Sequence, residues 1–290
     1  MAFRVGEMKK SWLIIIVLLC LFLLGLIYFK YYSGSFSKLE QAGFNALDDI
    51  KKQAFEPEPL RLNNSNQGAF LSDLGIISET NRQRNANGLP SLSQNARLDY
   101  AALKKANDMF KNQYFEHVSP TGVTSGDLLK TAGYEYILSG ENLILGNFKD
   151  DKEAVEAWMN SPGHRENILN SRFSQIGVAA VKGIFEGQET WIGVQEFGLP
   201  LSSCPQPDVY LKNTIDSYQR DADEQAKNLE AEKKELDNTP FKIGSSQKNK
   251  IDNYNQKVAE YNSLVDTIKK LIIQYNDEVR VFNNCVIGEN

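Results

Sequence analysis

The chain has only two histidines, and each lies in a polar string shaped by proline and glycine. His117 lies within Tyr-Phe-Glu-His-Val-Ser-Pro-Thr-Gly, and His164 lies within Ser-Pro-Gly-His-Arg-Glu-Asn-Ile-Leu. Midway between them, the string Ser-Gly-Glu-Asn-Leu places the carboxylate of Glu141 on a third predicted turn. Imidazole titrates near neutral pH and is a common metal ligand, and strings of this composition favour turns. The three strings therefore indicate one shared site.

Two neutral imidazoles and a carboxylate suit Zn²⁺ or a similar divalent ion, with one position left for water or a ligand. Such a site can also activate the bound water for hydrolysis. An alternative is that the two histidines only brace their turns, through hydrogen bonds to Glu141 and to backbone carbonyls. The sequence leaves both interpretations open.

A relay of hydroxyl, imidazole and carboxylate can also be assembled from Ser119 or Ser161, a histidine and Glu141. Both serines precede prolines, where they have structural roles as a turn former and a helix cap. The chain has no Gly-x-Ser-x-Gly string, which marks the nucleophile of many hydrolases. We expect these serines to be structural.

Four polar side chains near the histidines are predicted to brace the loops of the site rather than to act directly. They are Ser119, Asn142, Arg165 and Asn167. Arg165 has a second candidate role, the binding of an anionic ligand near the start of a helix.

The elements that position these residues follow from hydrophobic periodicity and turn signals. Four helices and one antiparallel hairpin are predicted: helices at 70–86, 94–112, 124–132 and 151–160, and strands at 176–182 and 189–197. A short helix is expected to open at Ser161-Pro162. Helices flanking a sheet follow, which is an α+β class.

From about residue 70 to about 200, the chain resembles the CAP superfamily (cysteine-rich secretory proteins, antigen 5 and pathogenesis-related 1 proteins), in its bacterial SCP-like branch. The strings that carry the resemblance, besides those around the two histidines, are Asn81-Arg82, Leu89 to Leu92, Gly140 to Asn142, Ala154 to Trp158, Ile176 to Val178 and Trp191 to Gly198. The combination is specific, although each string alone is weak.

The resemblance implies an αβα sandwich with an open cavity that gathers two histidines and two acids. His117, Glu141 and His164 match three of these positions, but the fourth falls at Ser161, so the implied metal set is a triad. The family is associated with lipid, metal and protein binding and lacks one agreed catalytic activity. We therefore expect a cell-envelope binding module, with a metal-assisted hydrolase of an envelope peptide, glycan or lipid as the alternative.

The uncharged segment 12–29 is predicted to be a transmembrane helix, because at ~1.5 Å per residue it nearly spans the ~30 Å hydrocarbon core. A cleaved signal peptide is the rival interpretation. Three basic residues precede the segment and only Lys30 closely follows it, which places 1–11 in the cytoplasm and the rest outside. Residues 30–69 are predicted to be a stalk and linker.

The C-terminal residues 204–285 are predicted to form an antiparallel coiled-coil hairpin closed by a disulfide between Cys204 and Cys285, since an exported segment keeps disulfides. Two apolar heptad runs flank a break at 238–246. The second run is Tyr254, Val258, Tyr261, Val265, Ile268, Ile272, Tyr275, Val279 and Phe282. Its tyrosines are expected to be core residues. The alternative function is a structural protein that recruits a partner through this hairpin.

A net charge of −5 and the absence of a basic run exclude nucleic acid as the main partner. The expected partners are the membrane, through 12–29, and an envelope lipid, glycan or protein.

Overall fold

The computed structural model describes residues 53–65, 68–238 and 245–288. The described residues divide into two compact units, one of residues 50–205 with 284–290 and one that contains 206–283. The predicted transmembrane segment 12–29 lies outside the described residues. Among the helices that the structure describes, none is both long enough and apolar enough to cross a membrane.

The first unit is built on one six-stranded mixed sheet. Its strands are β1 (Gln53–Phe55), β2 (Leu60–Ser65), β3 (Ser93–Gln94), β4 (Tyr136–Asn147), β5 (Gln175–Phe185) and β6 (Gln188–Pro200). The order is β1-β4-β6-β5-β3, with β2 also paired to β4. The central strands β4, β6 and β5 are antiparallel, whereas β1, β2 and β3 pair in parallel with their neighbours.

Five helices accompany this sheet: α1 (Asp73–Ala86), α2 (Ala96–Asn112), α3 (Ser125–Thr131), α4 (Asp151–Asn160) and α5 (Pro162–Ile168). Short polar side chains begin several of them. Ser72 accepts a hydrogen bond from an amide of α1, Asn95 does so for α2, and Thr124 forms a reciprocal capping box with Asp127 at α3.

Both faces of the sheet are covered by helices. Leu143 packs with Met109 of α2 on one face, while the next residue, Ile144, packs with Trp158 of α4 on the other face. This alternation is the period of two that a strand imposes on its side chains. The predicted α+β class is confirmed.

Two sequence assignments differ from the structure. Residues 53–65 fall in the predicted stalk and linker but form β1 and β2, because the Glu-Pro-Glu-Pro string at 56–59 favours an extended chain, which can pair with a strand edge. Glu141 was assigned to a turn but lies inside β4, whose residues 136–146 are all buried.

The second unit contains α6 (Val209–Asn238) and α7 (Ser245–Ile287) up to residue 283. Leu211 and Ile215 cluster with Tyr275 and Val279, while Ala222 clusters with residues nearer the start of α7, Tyr261 and Ile268. This order of contacts is antiparallel, and two of the predicted core tyrosines are buried in it. The coiled-coil assignment itself stays a prediction.

A disulfide joins Cys204 to Cys285, with the two Cα atoms 5.7 Å apart. The predicted pairing is confirmed. The bond closes a loop with a sequence separation of 81 residues.

Candidate functional site

His117 lies in the loop that follows α2, with both of its ring nitrogens hydrogen-bonded. Nδ1 is 2.6 Å from Glu141 Oε1, and Nε2 is 2.5 Å from the carbonyl oxygen of Pro57. A carbonyl and an ionised carboxylate accept hydrogen bonds, so these two contacts favour the doubly protonated form of the ring. Burial acts to lower the pKa of His117, but the hydrogen bond and charge of Glu141 outweigh burial and raise it.

Two contacts fix the His117 loop. The buried Lys105 of α2 donates from Nζ to the carbonyl of His117. Ser119 Oγ accepts from the backbone amides of Thr121 and Val123. Ser119 therefore shapes the turn after His117, and its hydroxyl does not contact either imidazole.

Glu141 of β4 lies directly opposite Glu196 of β6 in the antiparallel ladder, and both side chains are fully buried. Burial, the charge of Glu141 and a hydrogen bond shared with Glu141 raise the pKa of Glu196 well above its ordinary value. Ser125 donates a further hydrogen bond to Glu196 over 3.1 Å. The raised pKa favours the protonated form of Glu196 in the folded protein.

His164 belongs to α5 and is almost fully buried. Its Nδ1 is 2.8 Å from Ser161 Oγ, while its Nε2 has no hydrogen-bond partner among the described residues. Burial and the positive charge of His117 lower the pKa of His164 to about 4, against a smaller opposing effect of the Leu143 backbone. His164 is therefore neutral. Its Nε2 and Glu141 Oε2 are the two buried side-chain atoms that have no hydrogen-bond partner among the described residues.

A chain of amide side chains joins α5 to the sheet. Asn142 Nδ2 donates to the His164 carbonyl over 3.1 Å and to Gln195 Oε1 over 3.0 Å. Asn167 Nδ2 donates to Asn142 Oδ1 over 2.9 Å. These bonds hold His164 against β4. Arg165 is exposed and donates to the Met159 carbonyl, so it contacts neither imidazole of the site.

The comparisons with known proteins place this site within one family. The family model described as CAP, cysteine-rich secretory protein family, matches residues 77–197. This chain contains a CAP domain. The match includes His117, Glu141, His164 and Glu196, but it begins after β1 and β2.

Two relatives from Bacillus subtilis (strain 168) share this region. YkwD is 42% identical over 107 residues, which are 37% of this chain and 41% of YkwD. The membrane protein YlbC is 36% identical over 107 residues, 37% of this chain and 31% of YlbC. The chain therefore spans about two fifths and one third of the lengths of these relatives.

Two solved structures are similar to the same part of the chain. One is an extracellular protein containing an SCP domain from Bacillus anthracis, at 33% identity and a TM-score of 0.38, covering 43% of this chain and 39% of that one. The other is an outer surface protein from Borrelia burgdorferi, at 24% identity and a TM-score of 0.37, covering 43% of this chain and 90% of that one.

In the CAP domain, Glu141 contacts His117 whereas Ser161 contacts His164. The hydroxyl and the carboxylate thus lie on different imidazoles. The relay that the sequence offered as an alternative is not formed with either Ser119 or Ser161.

The side chains able to hold a cation differ from the predicted set. One ligand atom each from Glu56, His117 and Glu141 lies within 4.8 Å of the others, and His164 is not a member of this group. Two carboxylates and an imidazole suit a divalent cation. The fit has one condition, because His117 must lose a proton and one of its two hydrogen bonds before a ring nitrogen can ligate.

Sequence reasoning missed three residues of this site: Glu56, Lys105 and Glu196. Lys105 lies in a helix and Glu196 in a strand, and the sequence pattern at both positions predicts only the secondary structure, not a role in the site. A signal for Glu196 exists, since a glutamate within the apolar string of β6 needs a polar partner.

The raised pKa of Glu196 predicts a pH-dependent stability that Glu196→Gln removes. An unfolded glutamate loses its proton above about pH 4.3, whereas folded Glu196 keeps it, so the stability contribution is lost as pH rises towards the folded pKa. Below about pH 4.5 the glutamine and the protonated acid are similar donors, and wild type should lose stability relative to Glu196→Gln as pH rises.

Urea unfolding followed by tryptophan fluorescence at several pH values between about 4.5 and 8 measures this difference. The exposed Glu166→Gln is the matched control and should follow the wild type. Parallel pH profiles for wild type and Glu196→Gln would contradict the assigned proton.

Proposed function

We propose that the chain is an extracytoplasmic binding module of the cell envelope, which takes a polar ligand at the His117–Glu141–His164–Glu196 site. The observation that carries this proposal is a pair of buried polar atoms, Glu141 Oε2 and His164 Nε2, that have no hydrogen-bond partner among the described residues. Buried polar atoms are nearly always hydrogen-bonded, so two unpartnered atoms at one site favour a place for a ligand.

The location is part of the proposal. Residues 12–29 anchor the chain in the membrane, with 1–11 in the cytoplasm and the CAP domain outside. The Cys204–Cys285 disulfide supports this, because such bonds persist outside the cytoplasm. The name of the relative YlbC, a membrane protein, agrees with it.

A divalent cation such as Zn²⁺ is the simplest ligand for the site. Glu56, His117 and Glu141 would hold it. When bound, it would supply a positive centre that attracts an oxygen of an envelope lipid, glycan or peptide. A hydroxyl nucleophile is not part of this proposal, because Glu141 contacts His117 whereas Ser161 contacts His164.

Calorimetric titration of the full chain with Zn²⁺ near neutral pH tests the cation. Wild type should take up Zn²⁺, His117→Gln should abolish uptake, and Glu56→Gln should weaken it at least about tenfold, which is ~1.4 kcal/mol. The exposed Glu58→Gln, two residues along the same segment, should bind as wild type does.

Two results would count against this assignment. No uptake by folded wild type would exclude the cation. Uptake that depends on His164 but not on Glu56 would show that the metal ligands are His117, Glu141 and His164, as the sequence predicts.

A further inference from the structure

The strap, defined as residues 53–62, lies on the edge of β4 that β6 leaves open. Phe55 pairs with Gly140 and Leu60 with Ile144, both in parallel register. The strap precedes the region matched by the family, and most of its side chains are exposed. The strap contacts the rest of the unit through its backbone and through some side chains, since Leu60 and Leu62 pack against the core and Arg61 pairs with Glu186.

Two polar side chains of the site donate hydrogen bonds to backbone carbonyls of the strap. Asn167 Nδ2 donates to the Phe55 carbonyl over 3.0 Å, and His117 Nε2 donates to the Pro57 carbonyl over 2.5 Å. Both donors bind backbone carbonyls, which are present in a peptide of any sequence. Without an extended occupant, His117 Nε2 and the amides of the β4 edge would lose these partners, which is unfavourable for each group that stays buried.

Gly163 provides a space that fits the ring of Pro57. A Cβ at Gly163 would lie 2.7 Å from Pro57 Cβ, closer than two carbons can pack. A glycine inside α5 is unfavourable for the helix, so its value here is the close approach of the proline. A second side-chain contact is the edge-to-face packing of Phe55 on Phe173, with ring centroids 6.3 Å apart.

The charges at this place do not select an acidic occupant. Burial and the charge of Glu141 raise the pKa of Glu56, although the positive charges of His117 and Lys105 oppose this rise. Glu58, the second acid of the strap, is exposed. The contacts with Phe173 and Gly163 therefore select an aromatic residue and, two positions later, a proline in extended conformation.

We infer that the edge of β4 and the start of α5 form a binding site for an extended, proline-containing peptide of another envelope protein, and that the strap is its resident occupant. The inference rests on the binding role proposed above and names the class of ligand. Strand addition to a sheet edge is a general way to bind peptides, in which backbone hydrogen bonds give affinity and side-chain pockets give specificity. Here the pockets are the Gly163 space and the Phe173 ring.

Occupation by the strap weakens the apparent affinity for any peptide in trans. The measured dissociation constant equals the intrinsic constant divided by the fraction of molecules with the strap released. Variants that weaken only the strap, with the receiving residues intact, should therefore bind the peptide more tightly.

The test uses the full chain, in EDTA so that cation binding plays no part. The probe is a fluorescein-labelled, end-blocked peptide with the sequence of residues 53–62, and binding is measured by fluorescence anisotropy. The variant Phe55→Asp/Leu60→Asp should bind it at least about tenfold more tightly than wild type. The exposed Ala54→Asp should behave as wild type, and adding Gly163→Ala to the double variant should remove binding.

Hydrogen exchange on the wild type gives a second measurement that needs no variant. Strap amides should exchange faster than those of β4 and β6, as expected for a segment that opens separately. If the strap amides exchange only as slowly as those of β4 and β6, the strap is an integral part of the sheet and the inference is overturned. Absence of peptide binding by a folded double variant, or equal binding of a scrambled peptide, would also overturn it.

Self-association is the remaining outcome. If the double variant forms dimers that the peptide dissociates in analytical ultracentrifugation, the occupant is a second copy of the chain and the assignment to another protein fails. Failure of the peptide test leaves Zn²⁺ uptake unaffected, and failure of Zn²⁺ uptake leaves the peptide test unaffected. The two proposals are therefore separable.

Discussion

Replacing Arg84 with methionine is expected to lower the free energy of unfolding of the CAP domain by about 5 kcal/mol. Arg84 lies in α1 and is fully buried, and all three nitrogens of its guanidinium donate to backbone carbonyls. The acceptors are Pro90 at 2.9 Å, Ile168 and Asn170 at 2.8 Å, and Phe173 at 3.4 Å. Methionine fills much of the same volume but leaves these carbonyls without a donor, at about 1–3 kcal/mol for each buried group.

Urea unfolding monitored by Trp158 and Trp191 measures the loss, since both tryptophans lie in the CAP domain. Arg82→Met is the matched control, because Arg82 is two positions away and half exposed, and its ion pair with Glu79 is worth at most about 1 kcal/mol. A value for Arg84→Met within about 1 kcal/mol of wild type would show that water replaces the guanidinium.

Arg84 also links stability to the site. Two of its acceptors, Ile168 and Asn170, lie at the end of α5 and just beyond it, and α5 carries His164. A partly unfolded loop there would release His164 from the Asn142 bond that holds it against β4. The same variant should therefore lower ligand affinity even where the sheet remains folded.

The parts of the fold that could be predicted from sequence are those with strong local signals. Periodicity places α2 and α4 close to their observed bounds, and Gly187 lies at the observed turn between the two long strands, whereas Gly183 lies within β5. The strings around His117, Glu141 and His164 predict three polar groups at one place, because the resemblance relates them to one fold.

The rest of the site depends on which strands pair and in which register, and no local sequence pattern predicts this. Glu196 meets Glu141 only in the observed register of β4 with β6, and a shift of one residue would turn one of them to the other face. Glu56 arrives from a segment whose prolines predict extension but not where the extended chain docks. A linker and an edge strand look alike in sequence, and only the free edge of β4 decides between them.

Replacing Cys204 and Cys285 with serine is expected to destabilise the chain by about 4 kcal/mol. The cross-link closes a loop with a sequence separation of 81 residues, and in the chain-entropy model the loss of this constraint mainly raises the entropy of the unfolded state. Native contacts should largely persist, because Arg172 donates to the carbonyl of Val286 next to Cys285. Thermal unfolding of the double variant and of reduced wild type should coincide, well below oxidised wild type.

The unfolded-state origin of this effect has a kinetic signature that native strain or lost packing would not give. Cross-linking that acts on the unfolded chain speeds folding and leaves the unfolding rate nearly unchanged, so the double variant should refold more slowly. The exposed Ser202→Ala is the matched control and should change neither rate. A large rise in the unfolding rate alone would mean that the disulfide instead holds native packing in place, and the loop-entropy account would then be wrong.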